Sequence, residues 1–295
     1  MRLLIIGLDA LDPDLVERWG MDWFKQKTYG RHYVGFFKQL FTPIIWGSFL
    51  TGLNVEKHGY DRENLDEKIV KEAYRSRILY ILYLLRKRLA PAKDLGLRKL
   101  LMKLGLFNGY QGAIMPEHLL KRTFIEELRA AGYRVVAFDV PGYNESRNAV
   151  FRASIPELLS KPFDERKKIA ELALLDTRAR VLKAVKAVEM GYDVVFVYSP
   201  LPDIAFHIVT KPSLKAKLWL RTLHYRLYKS TEKLLALAER KGYAILVVSD
   251  HGFDLENYYH SDYGFWSLNI NPPRWWEIKS VLDFKNNILK LVTEV

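Results

Sequence analysis

Three times along this chain a helix-like stretch ends in a glycine and gives way to an apolar strand. Residues 117–131 stop at Gly132 before YRVVAF (133–138). Residues 161–190 stop at Gly191 before DVVFVY (193–198), and 213–241 stop at Gly242 before YAILVV (243–248). Glycine suits the left-handed backbone position just past a helix. The strands are apolar almost throughout, so both of their faces must be covered. Strands of this kind alternating with helices predict an α/β fold, a mainly parallel central sheet sandwiched by helices. LLII (3–6), running into Gly-Leu-Asp, reads as its first strand. The 295 residues suffice for one such domain with a full core, expected over 1–295.

The rhythm breaks at about 66–115, which reads as an inserted helical cap interrupted at Ala90-Pro91 and Gly105. Between Lys71 and Lys103 there are ten basic and two acidic residues, a net +8 within a chain of net charge +12. Phosphate-bearing partners or an anionic membrane surface would suit that charge. ILYILYLL (78–85), flanked by arginines, could lie on such a surface. The plainer readings are a solvated basic face and a cap packed on the main domain. No stretch approaches the roughly 20 apolar residues of a spanning helix, and no nucleic-acid-binding motif stands out. The chain has no cysteine, which excludes disulfides, thiolate zinc sites and cysteine nucleophiles. The apolar start is broken by Asp9 and lacks a small-residue cleavage site, so a strand is expected there and not a leader peptide. A reduced, cytoplasmic setting is the expectation.

In an open parallel sheet, ligands bind beyond the carboxyl ends of the strands. The first strand delivers Asp9 there. The strand at 193–198 runs into Asp203 and, four residues on, His207. The strand at 243–248 delivers Asp250 and His251, and His260 follows shortly after. Each has a plainer explanation alone: Asp9 as a helix cap, Asp203 and His207 as a surface pair, His260 as a loop residue. Together they form a carboxylate and imidazole set suited to divalent metal ions. Upstream, Thr42 precedes Pro43. That position favours an extended residue followed by a helix start, so Thr42 is expected to be an N-cap beside an anion-binding helix start. Next to metals its hydroxyl becomes a candidate nucleophile.

These blocks resemble the alkaline phosphatase superfamily, and most nearly its type I phosphodiesterase/nucleotide pyrophosphatase branch. The matching stretches are IIGLDALDPDL (5–15), TPIIWGSFLTGLNVEKHGYD (42–61), LRAAGYRVVAFDVPGYN (128–144), PDIAFH (202–207), VVSDHGF (247–253) and HSDYGFW (260–266). The resemblance implies two divalent metal ions, zinc first and manganese second. It implies that Asp9, Thr42, Asp250 and His251 hold one ion, and Asp203, His207 and His260 the other. It further implies a phospho-threonine intermediate on Thr42. Asn64 aligns only loosely with an asparagine found in diesterases of the group. A threonine at 42 argues against sulfatase chemistry, which starts from cysteine or serine.

The motif blocks bring no basic residue beside Thr42, while Trp46, Tyr60, Tyr143, Phe206 and Trp266 flank motif positions. If those rings formed a substrate surface, a phosphodiester or pyrophosphate would be favoured over a dianionic monoester. Core packing is the plainer reading of any one of them. Three alternatives stand beside a small phosphate-ester or nucleotide hydrolase. Two are a phosphomonoesterase and a phosphomutase of the same superfamily. The third is a membrane-surface or anion-binding protein with a vestigial site.

Overall fold

The computed structural model describes residues 1–65, 113–210 and 212–294. The basic segment at 71–103 and nearly all of the expected cap at 66–115 lie outside the described residues. The strands are β1 (Leu3–Asp9), β2 (Thr28–Tyr33), β3 (Val135–Phe138), β4 (Val194–Pro202), β5 (Ala244–Val248), β6 (Gly252–Asp254), β7 (Tyr259–Ser261) and β8 (Tyr263–Leu268). Among the described residues the main sheet runs β2-β8-β5-β1-β4-β3. Its four strands β5, β1, β4 and β3 are mutually parallel, and β8 and β2 pair antiparallel at one edge. The expected class holds. The two antiparallel strands were not foreseen, because β2 (TYGRHY) is polar and half-exposed and carries no apolar run.

Helices pack on both faces. One apolar layer includes Leu4, Ile6 and Leu8 of β1 together with α6 (Phe163–Glu189) and α8 (Leu214–Arg240). The other includes Leu3 and Ile5 with α2 (Thr42–Thr51), α4 (Phe124–Ala130) and α9 (Phe284–Thr293). Burying β1 on both sides explains why its sequence is apolar throughout. The three glycines that mark the pattern, Gly132, Gly191 and Gly242, all have positive φ. Each therefore ends its helix as the sequence predicts. The helix expected over 117–131 is broken in two, Glu117–Leu120 (α3) and α4, because the Thr123 hydroxyl accepts the Glu126 N–H and starts a new helix. Short helices α1 (Pro13–Arg18), α5 (Asn148–Leu158) and α7 (Asp203–His207) complete the described elements named here. Among the described residues no helix is long and apolar enough to cross a membrane.

Candidate active site

All seven residues singled out in the sequence converge beyond the carboxyl ends of β1, β4 and β5. Asp9 ends β1 and pairs in register with Pro202. Asp203 and His207 are the first and last residues of α7, which starts directly after β4. The i, i+4 spacing puts them on one helix face, with His207 Nε2 3.2 Å from Asp203 Oδ1. His260 reaches the same Asp203 oxygen, also at 3.2 Å, from β7. Asp250 and His251 leave the end of β5, and His251 Nε2 lies 3.3 Å from Asp250 Oδ2 and 3.6 Å from Asp9 Oδ1. Ligand atoms of Asp203, His207 and His260 fall within 4.8 Å of one another, and so do those of Asp9, Asp203 and His251. Asp203 is common to both groups, which the sequence did not suggest.

Thr42 departs from its expected place. Phe41 is the N-cap of α2, and the Thr42 side chain makes no capping bond. Pro43 has no N–H, and the N–H groups of Ile44 and Ile45 both donate to the Phe41 carbonyl. The expected cradle of helix-start amides is thus reduced to the N–H of Thr42 itself. Its hydroxyl, released from capping, turns to Asp9, with Oγ1 3.4 Å from Oδ1 and 3.5 Å from Oδ2.

The electrostatics suit a cation. Asp9, Asp203 and Asp250 are all buried, and their ion-pair partners among the described residues are histidines. Burial, and then the nearby Asp250 and Asp203, push the Asp9 carboxyl well above its usual range. Burial raises Asp250 to about 7. At Asp203 burial acts in the same direction, but the His207 and His260 imidazoles hold its carboxyl well below the usual range. Burial, with His260 adding to it, lowers His251 to about 3, so its ring is neutral. His251 Nδ1 contacts the Gly252 carbonyl at 3.0 Å, and His260 Nδ1 contacts the Leu40 carbonyl at 2.9 Å. With a metal ion bound, donation through Nδ1–H would leave the Nε2 lone pair of each ring free to coordinate it, as metal-binding histidines require. Asp203 Oδ1, Asp250 Oδ2 and His251 Nε2 are buried without a hydrogen-bond partner. Orphaned buried polar atoms are costly in a native fold, and divalent cations shared among these donors would satisfy them. The residues therefore fit the implied ions. The side chains of Asp9, Asp250 and His251 are at most 2% exposed, whereas His207 is 34% and His260 20% exposed. The cluster thus opens to solvent on the side of the two outer histidines.

Several supporting residues had no sequence signal. Asp12 accepts the Ser261 hydroxyl at 2.6 Å and the Phe253 N–H at 3.1 Å, fastening the β6–β7 hairpin that carries His260. Asp12 is also the N-cap of α1. The space is tight, since a Cβ at Gly252 would lie 2.2 Å from Asp12 Oδ2 and 2.4 Å from Ser261 Oγ. Gly252→Ala is therefore expected to destabilise the fold by about 1–3 kcal/mol and to weaken metal binding by His260. Urea unfolding and zinc titration would measure both. An unchanged unfolding midpoint with unchanged affinity would show that the hairpin shifts freely. His32 of β2 is fully buried, with Nε2 3.3 Å from the Asp250 carbonyl. The hydroxyl of Tyr198, inside β4, donates to Asp9 Oδ2.

The aromatic residues expected near substrate are mostly core. Trp46, Tyr60, Phe206 and Trp266 are buried in the apolar layers or packed on them. Tyr143 is half-buried, hydrogen-bonded to Glu126 and Arg129, and lines an open cavity of about 440 Å³. Charge near Thr42 is also greater than the motif blocks suggest. The Arg62 guanidinium stacks 4.0 Å over the ring of Phe41, and the Arg152 charge acts on both Asp9 and Tyr198. Asn64 donates to Asp61 at 2.7 Å, with a longer contact to the Gly59 carbonyl, within its own turn.

Comparison with known proteins follows the same lines. No curated protein sequence matches the chain. Murine ectonucleotide pyrophosphatase/phosphodiesterase 5 aligns structurally at 15% identity with a TM-score of 0.41, over 85% of this chain and 57% of its own. The chain thus spans little more than half the length of that protein. A 2-O GAG sulfatase aligns over 99% of this chain and 70% of its own, at 10% identity and a TM-score of 0.51, a likeness of fold alone. The model of the type I phosphodiesterase/nucleotide pyrophosphatase family matches residues 3–266. Matched over nearly its whole length, the chain belongs to the type I phosphodiesterase/nucleotide pyrophosphatase family, a branch of the alkaline phosphatase superfamily.

Proposed function

We propose that this protein is a metal-dependent hydrolase of phosphodiester or pyrophosphate bonds in small molecules, nucleotides among them, acting through a phospho-threonine on Thr42. The observation that carries this reading is the Thr42 hydroxyl, free of capping and directed at Asp9, a member of one of two Asp/His clusters that share Asp203. Asp203, His207 and His260 would hold one divalent ion, and Asp9, Thr42, Asp250 and His251 the other. Zinc is the first expectation and manganese the second. Bound there, such ions supply Lewis-acid stabilisation of phosphoryl charge and ease ionisation of the threonine hydroxyl.

The residues themselves divide the work. Asp9 lies within reach of the Thr42 hydroxyl and orients it. Thr42 Oγ, having lost its proton to solvent, attacks phosphorus, forming an O–P bond as the bond to the leaving oxygen breaks in line, and the leaving oxygen takes up a proton from solvent. Water then attacks the phospho-threonine from the open His207–His260 side, restoring the Thr42 hydroxyl and releasing the phosphate product. The Thr42 N–H is available to a non-bridging oxygen.

Arg62 and Arg152 keep a monoesterase reading in play, because a dianionic group gains more from nearby positive charge than a diester does. The deciding assay pairs bis-p-nitrophenyl phosphate with p-nitrophenyl phosphate on protein stripped by chelation and reloaded with zinc or manganese. Turnover is expected to vanish on chelation, return on reloading, and favour the diester. A preference for the monoester would remove the diesterase reading. Metal-independent turnover would remove the metal-dependent mechanism, and no turnover of either substrate would remove the hydrolase reading.

A further inference from the structure

The two carboxylate oxygens of Asp9 have different neighbours. Oδ1 faces His251 Nε2 at 3.6 Å and Thr42 Oγ1 at 3.4 Å. Oδ2 also lies 3.5 Å from Thr42 Oγ1, but it accepts a hydrogen bond from the Tyr198 hydroxyl. Tyr198 is fully buried and its ring is held edge-on by Trp46, with centroids 5.6 Å apart and an interplanar angle of 85°. Its backbone pairs with Gly7 of β1, two residues before Asp9. Gly7 lets this arrangement exist, since a Cβ there would stand 2.8 Å from the Trp46 ring. Arg152 is ion-paired to Glu145, and its positive charge acts on both Tyr198 and Asp9.

The geometry points to Tyr198 as a positioning residue that restrains Asp9 to one-oxygen coordination and so sets which cations the inner site accepts. This rests on the two-metal reading above. The physical basis is ligand denticity. Calcium takes six to eight oxygens and readily uses both oxygens of a carboxylate, whereas zinc is satisfied by four donors. With Oδ2 occupied by a rigid hydroxyl, Asp9 offers a single oxygen, which suits the smaller ion and disfavours the larger. Groups hydrogen-bonded to metal ligands in this way are typically worth about 10–100-fold in affinity.

The test is calorimetric titration of the apo-protein with zinc and with calcium, for wild type and Tyr198→Phe, which keeps the packed ring and removes only the hydroxyl. A second variant replaces Tyr198 with 4-aminophenylalanine, which restores a donor on the same ring. The expected result has four parts. Wild type binds two zinc ions. Tyr198→Phe keeps one site at wild-type affinity and weakens the other about 10–100-fold. Its preference for zinc over calcium narrows at the weakened site, and the amino variant recovers both properties. If Tyr198→Phe binds both zinc ions with wild-type affinity and unchanged selectivity, the role of Tyr198 is overturned while the two-metal reading stands. Equal weakening of both sites, or no recovery by the amino variant, also overturns it by showing general damage. Uptake of fewer than two zinc ions by wild type would bring down the two-metal reading and this inference together.

Discussion

Thr42→Ala is expected to lower turnover of bis-p-nitrophenyl phosphate by about 10⁴-fold or more, the scale seen when a nucleophile is removed. Metal content should stay near wild type. The remaining donors explain why. Asp9 stays in place on β1, Asp250 and His251 just past β5, Asp203 and His207 on α7, and His260 on β7. Thr42 contributes little to its own helix, because Phe41 is the N-cap and the Thr42 side chain makes no capping bond. Stability should therefore change little, and the loss should be chemical. Turnover measured beside metal analysis of the same preparation separates the two. Substantial residual turnover with both metals bound would move the nucleophile elsewhere, with water as the first candidate. Thr42→Ser, which keeps the hydroxyl, should retain much of the activity.

The second large effect falls on Asp203. Oδ1 of this residue is approached by His207 and His260 at 3.2 Å, and the residue is also grouped with Asp9 and His251. Asp203→Asn is therefore expected to weaken metal binding in both halves of the site, with turnover down about 10³-fold or more, on the scale of losing metal-ion catalysis. His260→Ala should be felt mainly at the outer half, because its Nε2 contacts are to Asp203 and His207. Plasma emission analysis of dialysed protein distinguishes these outcomes. If Asp203→Asn kept one full equivalent of metal, the shared position of Asp203 would carry no energetic weight.

Much of this site could be read without a structure, for an identifiable reason. Metal donors come from a short list of residue types, and in a parallel sheet they cluster just past apolar strands. Asp9, Asp203, Asp250 and His251 stand in those places, so their convergence past the strand ends was legible. The supporting residues were not. Tyr198 sits inside an apolar strand and looks like any core aromatic, and its hydroxyl meets Asp9 across 189 residues of sequence. Asp12 meets Ser261 across 249. His32 lies in a strand with too little apolar character to be recognised. Thr42 was recognised as a residue but misplaced as a cap, because a Thr-Pro helix start looks the same whether the N-cap is Thr42 or Phe41.

By itself the sequence determined the alternation of strands and helices, the glycine stops and the order of the Asp and His residues past the strands. These depend on local periodicity, backbone freedom and side-chain chemistry, which neighbours along the chain set. Only the tertiary structure decided that β8 and β2 close the sheet antiparallel, that a hairpin folds His260 back onto Asp203, and that Asp203 stands between two clusters. It also decided that Tyr198 takes one oxygen of Asp9 and leaves the other to the site. Those outcomes depend on where side chains from distant strands point once register and packing are fixed, which no local pattern records.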